Sequence, residues 1–314
     1  CTAGLMLTMR GLGITGEVIM PSFTFSASGL PLVWNNLEPV FADSDPDTYN
    51  INVPSIERLI TPNTSAIFAT HVFGVPCDVA RLQALAKKHT IKLLFDAAHA
   101  FGSSRDGTKV GNFGDAEVFS CSPTKVLTTG EGGIVATNND ALAEYVRRGR
   151  NYGDDGTSTT PFAGLSARMT ELSAVLGLVT LKDLRKNLTR RRRVAEYFKK
   201  RLLACEPRLR FQHVPHGVET TYKDLSLLID PAEIGYSRDE LQEYFLSQGI
   251  DTRKYFYPPL HQHATYRGAT KDKLPVTERI ASQVLSLPLY SHIARKDIDY
   301  IIAAFKKFHD TKKA

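Results

Sequence analysis

The chain has 314 residues, 42% of them hydrophobic and 23% charged, which is typical of a globular protein with a large core and a second, smaller unit. Lysine and arginine (39) exceed aspartate and glutamate (33), and the resulting net charge of +6 favours anionic ligands without demanding nucleic acid. No run of eighteen apolar residues, signal-peptide pattern or zinc-type cysteine spacing is present. We therefore expect a cytoplasmic protein in a reducing compartment, without a membrane partner or a metal.

Apolar runs alternate with helical patterns along the first half of the chain. Residues 1–13 read as a helix without room for its cap, so we expect a further segment before Cys1. Residues 78–90 form an amphipathic pattern in which Asp78 is placed to cap the helix. The alternation predicts an α/β fold, a mostly parallel sheet with helices on both faces. The strands expected from the apolar runs are 17–21, 39–44, 65–74, 91–98, 116–122 and 132–138.

The second half predicts one long helix and then a smaller α+β domain. Apolar residues recur at helical spacing over about 168–203, and "TRRRRV" (189–194) falls inside this stretch. The arginines could bind phosphate, but a solvated or interface turn is the favoured interpretation. Ser237 and Glu240 have capping-box spacing. We predict a large cofactor-binding domain at residues 1–200, including the long helix, and a small domain at 201–314.

Chemically useful side chains follow several predicted strands. Asp96 ends one strand, Ser120 and Lys125 follow another, and Phe25 follows a third. Ligands of open α/β sheets bind outside the carboxyl ends of the strands. Each residue has an ordinary alternative: Asp96 could cap a helix, and Lys125 could be a solvated surface lysine. Together they suit pyridoxal phosphate, which needs a lysine for its aldehyde, a carboxylate for its ring nitrogen, a stacking aromatic and a phosphate site.

Six segments carry a resemblance that runs over the entire chain. The chain resembles the DegT/DnrJ/EryC1/StrS sugar aminotransferases, which are fold type I pyridoxal phosphate enzymes. That likeness implies a seven-stranded-type, mostly parallel sheet. The segments occur in the family's order: "GEVIMPSFTFSAS", "HVFGVPCDVARLQALAKKHTIKLLFDAAHAFGS", "VGNFGDAEVFSCSPTKVLTTGEGGIVATN", "ARMTELSAVLGL", "YPPLHQHATYR" and "VTERIASQVLSLPLY".

The resemblance implies roles for three residues at the predicted cofactor ring. Lys125 would form the Schiff base with the cofactor and, once released by substrate, move protons between the cofactor carbon and the ketone carbon. Asp96 would keep the ring nitrogen protonated. His99 matches a Gln/His position near the ring hydroxyl, although a hydrogen-bonded core histidine is an equal alternative.

The remaining cofactor residues are also implied by the resemblance. Phe25 would stack on the ring, Thr2 and Ala3 match a phosphate-binding turn, and Ser120 would add a phosphate hydroxyl. Ser166 stands where the family usually has an asparagine that reaches the phosphate across a dimer interface. A core phenylalanine and solvated or capping hydroxyls are the ordinary alternatives for these residues.

Two residues are candidates for substrate binding. Arg168 could bind the carboxylate of the amino donor or make an intersubunit pair, or it could be a surface arginine. His261 and His263 are two positions apart, so a strand would present them on one face, but no further ligand makes a metal plausible. The resemblance places His261 near the sugar, and it implies a homodimer with shared active sites.

The function that follows is transfer of an amino group from glutamate to a keto sugar carried on a nucleotide. A dTDP- or UDP-linked 3- or 4-keto-6-deoxy sugar is the expected substrate. An aminocyclitol aminotransferase is an alternative. A sugar dehydratase is less favoured because such relatives tend to replace the lysine with histidine. A non-catalytic regulator or a nucleic-acid binder using the arginine run is the remaining alternative.

Overall fold

A computed structural model describes residues 1–157, 159–269 and 272–313. Its helices are α1 (Thr2–Gly11), α2 (Ser26–Trp34), α3 (Val53–Leu59), α4 (Val79–His89), α5 (Asp140–Gly149), α6 (Glu171–Lys182), α7 (Leu184–Cys205), α8 (Pro231–Ile234), α9 (Arg238–Ser247), α10 (Pro275–Gln283) and α11 (Arg295–Lys313). Its strands are β1 (Glu17–Pro21), β2 (Glu38–Ala42), β3 (Thr64–Thr70), β4 (Lys92–Asp96), β5 (Ser104–Arg105), β6 (Thr108–Lys109), β7 (Ala116–Ser120), β8 (Gly133–Ala136), β9 (Arg210–Phe211), β10 (Val218–Glu219), β11 (Leu225–Leu228) and β12 (Val284–Leu287).

The main sheet has the order β2-β1-β3-β4-β7-β8. Its first five strands are parallel, and β8 pairs antiparallel with β7. All six predicted strands of this sheet are present, and the α/β fold is confirmed. The sheet holds six strands in the described residues rather than the seven implied by the resemblance.

The main sheet brings three strand ends together at one edge. Thr70 is paired with Asp96 at the ends of β3 and β4, and Asp96 is paired with Val118 near the end of β7. Ser120 ends β7 two residues later. All five residues of β1 and of β7 are buried. The polar residues at the strand ends therefore lie in a region shielded from water.

Several observed strands are shorter than predicted, and β3 shows why. The apolar run 65–74 was expected to be one strand, but β3 ends at Thr70 and a 3₁₀ turn covers Val72–Gly74. Phe73 in this turn has a φ of 54°, a left-handed conformation that no strand contains. Buried apolar residues continue through the turn, so hydrophobicity alone could not mark the end of the strand.

Helix caps agree with the sequence at two positions. The Asp78 side chain accepts a hydrogen bond from the Arg81 N–H at 3.4 Å at the start of α4. Ser237 and Glu240 form the predicted capping box of α9, in which each side chain bonds the main chain of the other residue. Both caps satisfy N–H groups that a helix start leaves without partners.

The region predicted as one helix over 168–203 is two helices. Thr170 caps α6 by accepting from the Ser173 N–H at 3.2 Å, so the helix begins at Glu171. Asp183 separates α6 from α7, and helical spacing continues across this single residue, which is why periodicity does not reveal the break. In the described part of the chain no helix is long and apolar enough to cross a membrane.

The arginine run lies in α7 and is not simply solvated. Arg191 is buried, and its guanidinium donates to the carbonyl oxygens of Tyr222 at 2.7 Å and Lys223 at 2.8 Å. Arg190 donates to the Ile293 carbonyl, and Arg192 donates to the Thr220 carbonyl. The solvated alternative of the predicted solvated or interface turn was therefore wrong for Arg191, because its Nε and Nη2 donate to main-chain carbonyls of the C-terminal region.

The C-terminal region packs around its own hydrophobic cluster. Strands β12, β11 and β9 form an antiparallel sheet in that order, and helices α7, α9 and α11 contribute to the core beside it. Phe198 and Leu202 of α7 belong to this cluster together with Phe245 and Phe305. The division into domains near residue 200 stays a prediction.

Candidate active site

A cavity of about 330 Å³ opens at the edge where β3, β4 and β7 end. Six of the residues proposed from the sequence line it, namely Thr2, Phe25, Asp96, His99, Ser120 and Lys125. They come from four separate segments of the chain, which the fold brings together at one cavity.

Asp96 is held by a chain of hydroxyl groups. Its Oδ1 accepts from the Ala98 N–H at 2.9 Å, and its Oδ2 accepts from the Ser28 hydroxyl at 2.6 Å. Because the Ser28 hydroxyl donates its hydrogen to Asp96, its oxygen accepts a hydrogen bond from the Thr24 hydroxyl at 2.7 Å. The carboxylate is 4% exposed and is fixed in direction from two sides. The bond from the Ala98 N–H is the kind of contact that a capping aspartate makes. Asp96 also lines the cavity, so capping is not its only contact.

Lys125 follows β7 in a tight turn in which its N–H donates to the Ser122 carbonyl at 3.0 Å. Burial lowers the pKa of its amine to about 8, and the nearby Lys223 acts in the same direction. Asp96 and Asp224 oppose this shift. At pH 7 roughly one molecule in ten then has a neutral amine, about 300 times the fraction of an ordinary lysine. Such an amine can act as a nucleophile.

His99 is buried and its tautomer is fixed. The Phe73 N–H donates to His99 Nδ1 at 3.2 Å, so the neutral ring carries its proton on Nε2. Burial, together with the charges of Lys125 and Lys223, lowers the pKa of His99 well below its ordinary value. The ring stacks on Phe73 at 6.2 Å and on Phe256 at 6.1 Å between centroids. His99 thus offers the cavity a hydrogen-bond donor rather than a charge.

Phe25 is 54% exposed although it lies on the cavity wall. It precedes helix α2 and contacts Phe256 in a tilted arrangement at 6.5 Å. An aromatic ring left open at a concave site is suited to stack on a planar ligand. The same cavity contains Thr70 Oγ1, a buried hydroxyl without a hydrogen-bond partner among the described residues.

An anion could bind at one end of the cavity. Thr2 is the first residue of α1, whose ten residues start with free N–H groups and carry no acidic residue in the first turn. Ser120 and Ser122 line the same wall. A helix start flanked by hydroxyls is a favourable phosphate site.

Three proposed residues line a different groove. Ala3, Ser166 and Arg168 border an opening of about 860 Å³ beside β8, which adjoins the cavity through Glu131 and Gly132. Ser166 accepts from the Tyr152 hydroxyl at 3.0 Å, and Arg168 donates to Asn151 Oδ1 at 2.6 Å. Within this chain, Ser166 and Arg168 are not part of the Lys125 cavity.

His261 also lies outside the residues that line the cavity. Its N–H donates to Ser22 Oγ at 3.0 Å, and the same Ser22 oxygen is hydrogen-bonded to His261 Nδ1 at 2.7 Å. Its Nε2 lies 3.2 Å from Glu278 Oε1. His261 lies in the 3₁₀ turn Leu260–Gln262, and His263 lies between that turn and the next, Ala264–Tyr266. His263 Nε2 bonds the Pro258 carbonyl at 3.1 Å. The two histidines are therefore not on a strand.

Sequence reasoning missed the groups that support the cavity. Ser28 and Thr24 orient Asp96, Thr70 offers an unpaired hydroxyl, and Phe256 stacks on His99. Lys223, which precedes β11, lowers the pKa of Lys125 although it is almost one hundred residues later in the sequence. The sequence did not mark Thr70 either, because the apolar run 65–74 hides the end of β3.

The donor set fits one kind of cofactor. A lysine amine with a lowered pKa faces the same small cavity as a fixed carboxylate, an open aromatic ring and an anion site. The fold and the cavity therefore define an enzyme that uses pyridoxal phosphate. The model of the DegT/DnrJ/EryC1/StrS aminotransferase family matches residues 1–306, and the chain belongs to this family. It is a pyridoxal phosphate-dependent aminotransferase.

Named relatives cover nearly all of this chain. GDP-perosamine synthase of Caulobacter vibrioides is 33% identical over 302 residues, which are 96% of this chain and 81% of that protein. The dTDP-4-amino-4,6-dideoxy-D-glucose transaminase of Escherichia coli is 34% identical over 298 residues, 93% of this chain and 79% of that protein.

A solved structure confirms the fold. DesI in the presence of its TDP-sugar product superposes with a TM-score of 0.93 at 38% identity, covering 98% of this chain and 78% of that one. DesV of S. venezuelae in complex with a ketimine intermediate superposes with a TM-score of 0.91 at 31% identity, covering 98% of this chain and 83% of that one.

Proposed function

We propose that the chain transfers the amino group of glutamate to a keto sugar linked to a nucleotide. The observation that carries the proposal is that Lys125 and Asp96 share one cavity in a member of this aminotransferase family. Relatives named for GDP-, dTDP- and UDP-linked amino sugars support a nucleotide-linked substrate. We favour a dTDP- or UDP-linked 3- or 4-keto-6-deoxy sugar.

The side chains of the cavity divide the chemistry between them. Bound pyridoxal phosphate supplies an aldehyde that condenses with amines and a ring that withdraws electrons from the adjacent carbon. Asp96 would hold the ring nitrogen of the cofactor and would favour a proton there. Lys125 would hold the cofactor through its amine, and the same amine would accept and return a proton at the substrate carbon. Its lowered pKa, about 8, suits both tasks near neutral pH.

The remaining residues bind and orient. His99, whose Nδ1 accepts from the Phe73 N–H, would donate from Nε2 to the ring hydroxyl. Phe25 would stack on the ring, and Thr2 and Ser120 would hold the phosphate beside the start of α1. The nucleotide and its pyrophosphate contribute binding energy remote from the reacting carbon, and the net charge of +6 favours them.

The two half-reactions test this function separately. Glutamate should bleach the visible band of the loaded protein and yield 2-oxoglutarate. A keto sugar nucleotide should then restore the band, while a free keto-cyclitol or a simple 2-oxo acid should restore it poorly. If a free keto-cyclitol is faster than every nucleotide-linked sugar, the aminocyclitol alternative replaces our substrate and the transaminase remains. If glutamate leaves the band unchanged, glutamate is not the donor.

We also propose that the protein is a homodimer through α6. This helix is apolar on every side, yet none of its described residues is buried within the chain; Leu172 is 85% exposed and Leu178 is 64% exposed. A helix that is hydrophobic all round normally lies inside a protein or an interface. The groove with Ser166 and Arg168 adjoins this helix, so both residues could serve the partner's cavity.

The oligomeric state tests this interface. Size-exclusion chromatography with light scattering should give the mass of two chains, and Leu178→Glu should give one chain with weaker cofactor retention. Lys186→Glu on the exposed side of α7 carries a larger change of charge outside the apolar helix and should leave the dimer intact. A fully active monomer would contradict the proposal.

A further inference from the structure

Phe256 is a buried ring of the C-terminal region that contacts two side chains of the cavity wall. It is 6% exposed, and it is not among the residues that line the cavity. Its ring centroid lies 6.1 Å from that of His99 at an interplanar angle of 17°, and 6.5 Å from that of Phe25 at 48°. The proposed chemistry uses His99 and Phe25 directly and gives Phe256 no part.

Two kinds of contact fix the direction of the His99 ring. The Phe73 N–H donates to Nδ1 and so sets the rotation of the ring within its plane. Phe73 and Phe256 set the plane itself, because the three rings stack with interplanar angles between 11° and 23°. With its plane and its rotation both fixed, the imidazole holds its Nε2 donor in one direction.

The Phe25 ring has less support from packing. It is 54% exposed, so few neighbours restrict its orientation. Phe256 contacts this ring in a tilted arrangement, a type of aromatic contact that favours particular orientations of both rings. A ring that is already oriented loses less freedom when it stacks on a planar ligand.

The segment that carries Phe256 is anchored at both ends. Arg253 and Ser286 exchange two main-chain hydrogen bonds, at 3.1 Å and 2.7 Å, which attach the segment to β12. On the other side, the Leu260 N–H donates at 3.0 Å to the carbonyl of Ser22, which directly follows β1. Phe256 therefore lies on a connection that is tied to the C-terminal sheet and to the main sheet.

We propose that Phe256 is a positioning residue for the cofactor: it holds the His99 donor and the Phe25 ring in the orientations that bound pyridoxal phosphate requires. It acts through these two side chains and not by contact with the cofactor. The inference rests on the proposed roles of His99 and Phe25, and the experiment separates it from them.

The experiment measures the affinity and the orientation of the cofactor in the full chain. Titration of cofactor-free protein with pyridoxal phosphate gives the Kd, and circular dichroism in the visible band reports how the bound ring is held. Phe256→Leu removes the ring and keeps an apolar side chain. It should raise the Kd about fivefold, equivalent to about 1 kcal/mol, and should weaken the dichroism per bound cofactor. Phe256→Tyr, which keeps the ring, should stay close to the unchanged protein in both measurements.

Two comparisons make the test specific. Phe245→Leu is the matched control, because Phe245 is a fully buried ring of the C-terminal region that belongs to a different hydrophobic cluster from Phe256. It should lower Tm as Phe256→Leu does, and it should leave the Kd and the dichroism unchanged. In a protein that already carries Phe25→Leu and His99→Gln, adding Phe256→Leu should change the Kd less than twofold, because the side chains through which it acts are absent.

The inference is overturned if Phe256→Leu leaves the Kd and the dichroism unchanged, or if it raises the Kd equally in the protein without the two wall side chains. An equal rise in Phe245→Leu would also overturn it, because lost packing alone would then explain the effect. Should Phe256→Leu fail to fold, Phe256→Met fills the same space without a ring and takes its place. If the cofactor is attached to a lysine other than Lys125, the proposed function fails, while the comparison of Kd values still decides the role of Phe256.

Discussion

Replacing Ser28 with alanine should loosen Asp96 without touching a charge. Ser28 is 1% exposed, and its hydroxyl donates to Asp96 Oδ2 at 2.6 Å while accepting from Thr24. A buried hydrogen bond to a charged group contributes about 1.5–3 kcal/mol, so Ser28→Ala should cost about 2 kcal/mol. With 314 residues at about 2.1 cal/mol/K each, that loss lowers Tm by roughly 3 °C.

The same substitution should weaken cofactor binding, because Asp96 then has only the Ala98 N–H to orient it. We expect a Kd for pyridoxal phosphate about tenfold higher, equivalent to about 1.4 kcal/mol. Thermal melting and cofactor titration measure the two effects. Thr24→Val is the control: it removes the outer hydroxyl of the chain and leaves Ser28 on Asp96, so its effects should be smaller. If Ser28→Ala and Thr24→Val are indistinguishable in both assays, Asp96 is not held through Ser28.

Two further predictions concern carboxylates. Asp96→Asn should keep the fold and slow transamination roughly a thousandfold, since a charge pair at about 4 Å is worth about 4 kcal/mol. A near-normal rate would mean that Asp96 acts only as a helix cap. Hydrogen bonds from Arg208 lower the pKa of Glu206 below its ordinary value. Glu206 therefore stabilises the fold above the ordinary carboxylate pKa, and this contribution is lost as pH falls through the lowered one. Glu206→Gln should reduce the difference in Tm between pH 7 and pH 3, and an unchanged difference would contradict the assignment.

The sequence predicts the central sheet because its strands are short apolar runs that lie between helical patterns. It predicts Asp96 and Ser120 at the cavity because strand ends of a parallel sheet share one edge. Lys125 lies five residues beyond the end of β7, so the same rule predicts it at the cavity. These inferences need only local pattern and the geometry of parallel sheets.

Other parts of the cavity depend on contacts that pattern does not encode. Ser28 and Thr24 are small hydroxyl residues, a type that caps helices or faces water far more often than it orients a carboxylate. Phe256 comes from the C-terminal region, and only tertiary packing places its ring on His99. Arg191 looks solvated in the run 189–194, and its burial depends on carbonyls of residues 222 and 223.

The central claim is that Lys125 carries the cofactor, and one measurement tests it most directly. The loaded protein is reduced with borohydride and digested, and mass spectrometry locates the lysine that bears the added pyridoxyl group. We predict that the group is found on Lys125 and is absent from the Lys125→Ala variant. A pyridoxyl group on a different lysine, in either protein, would contradict the account.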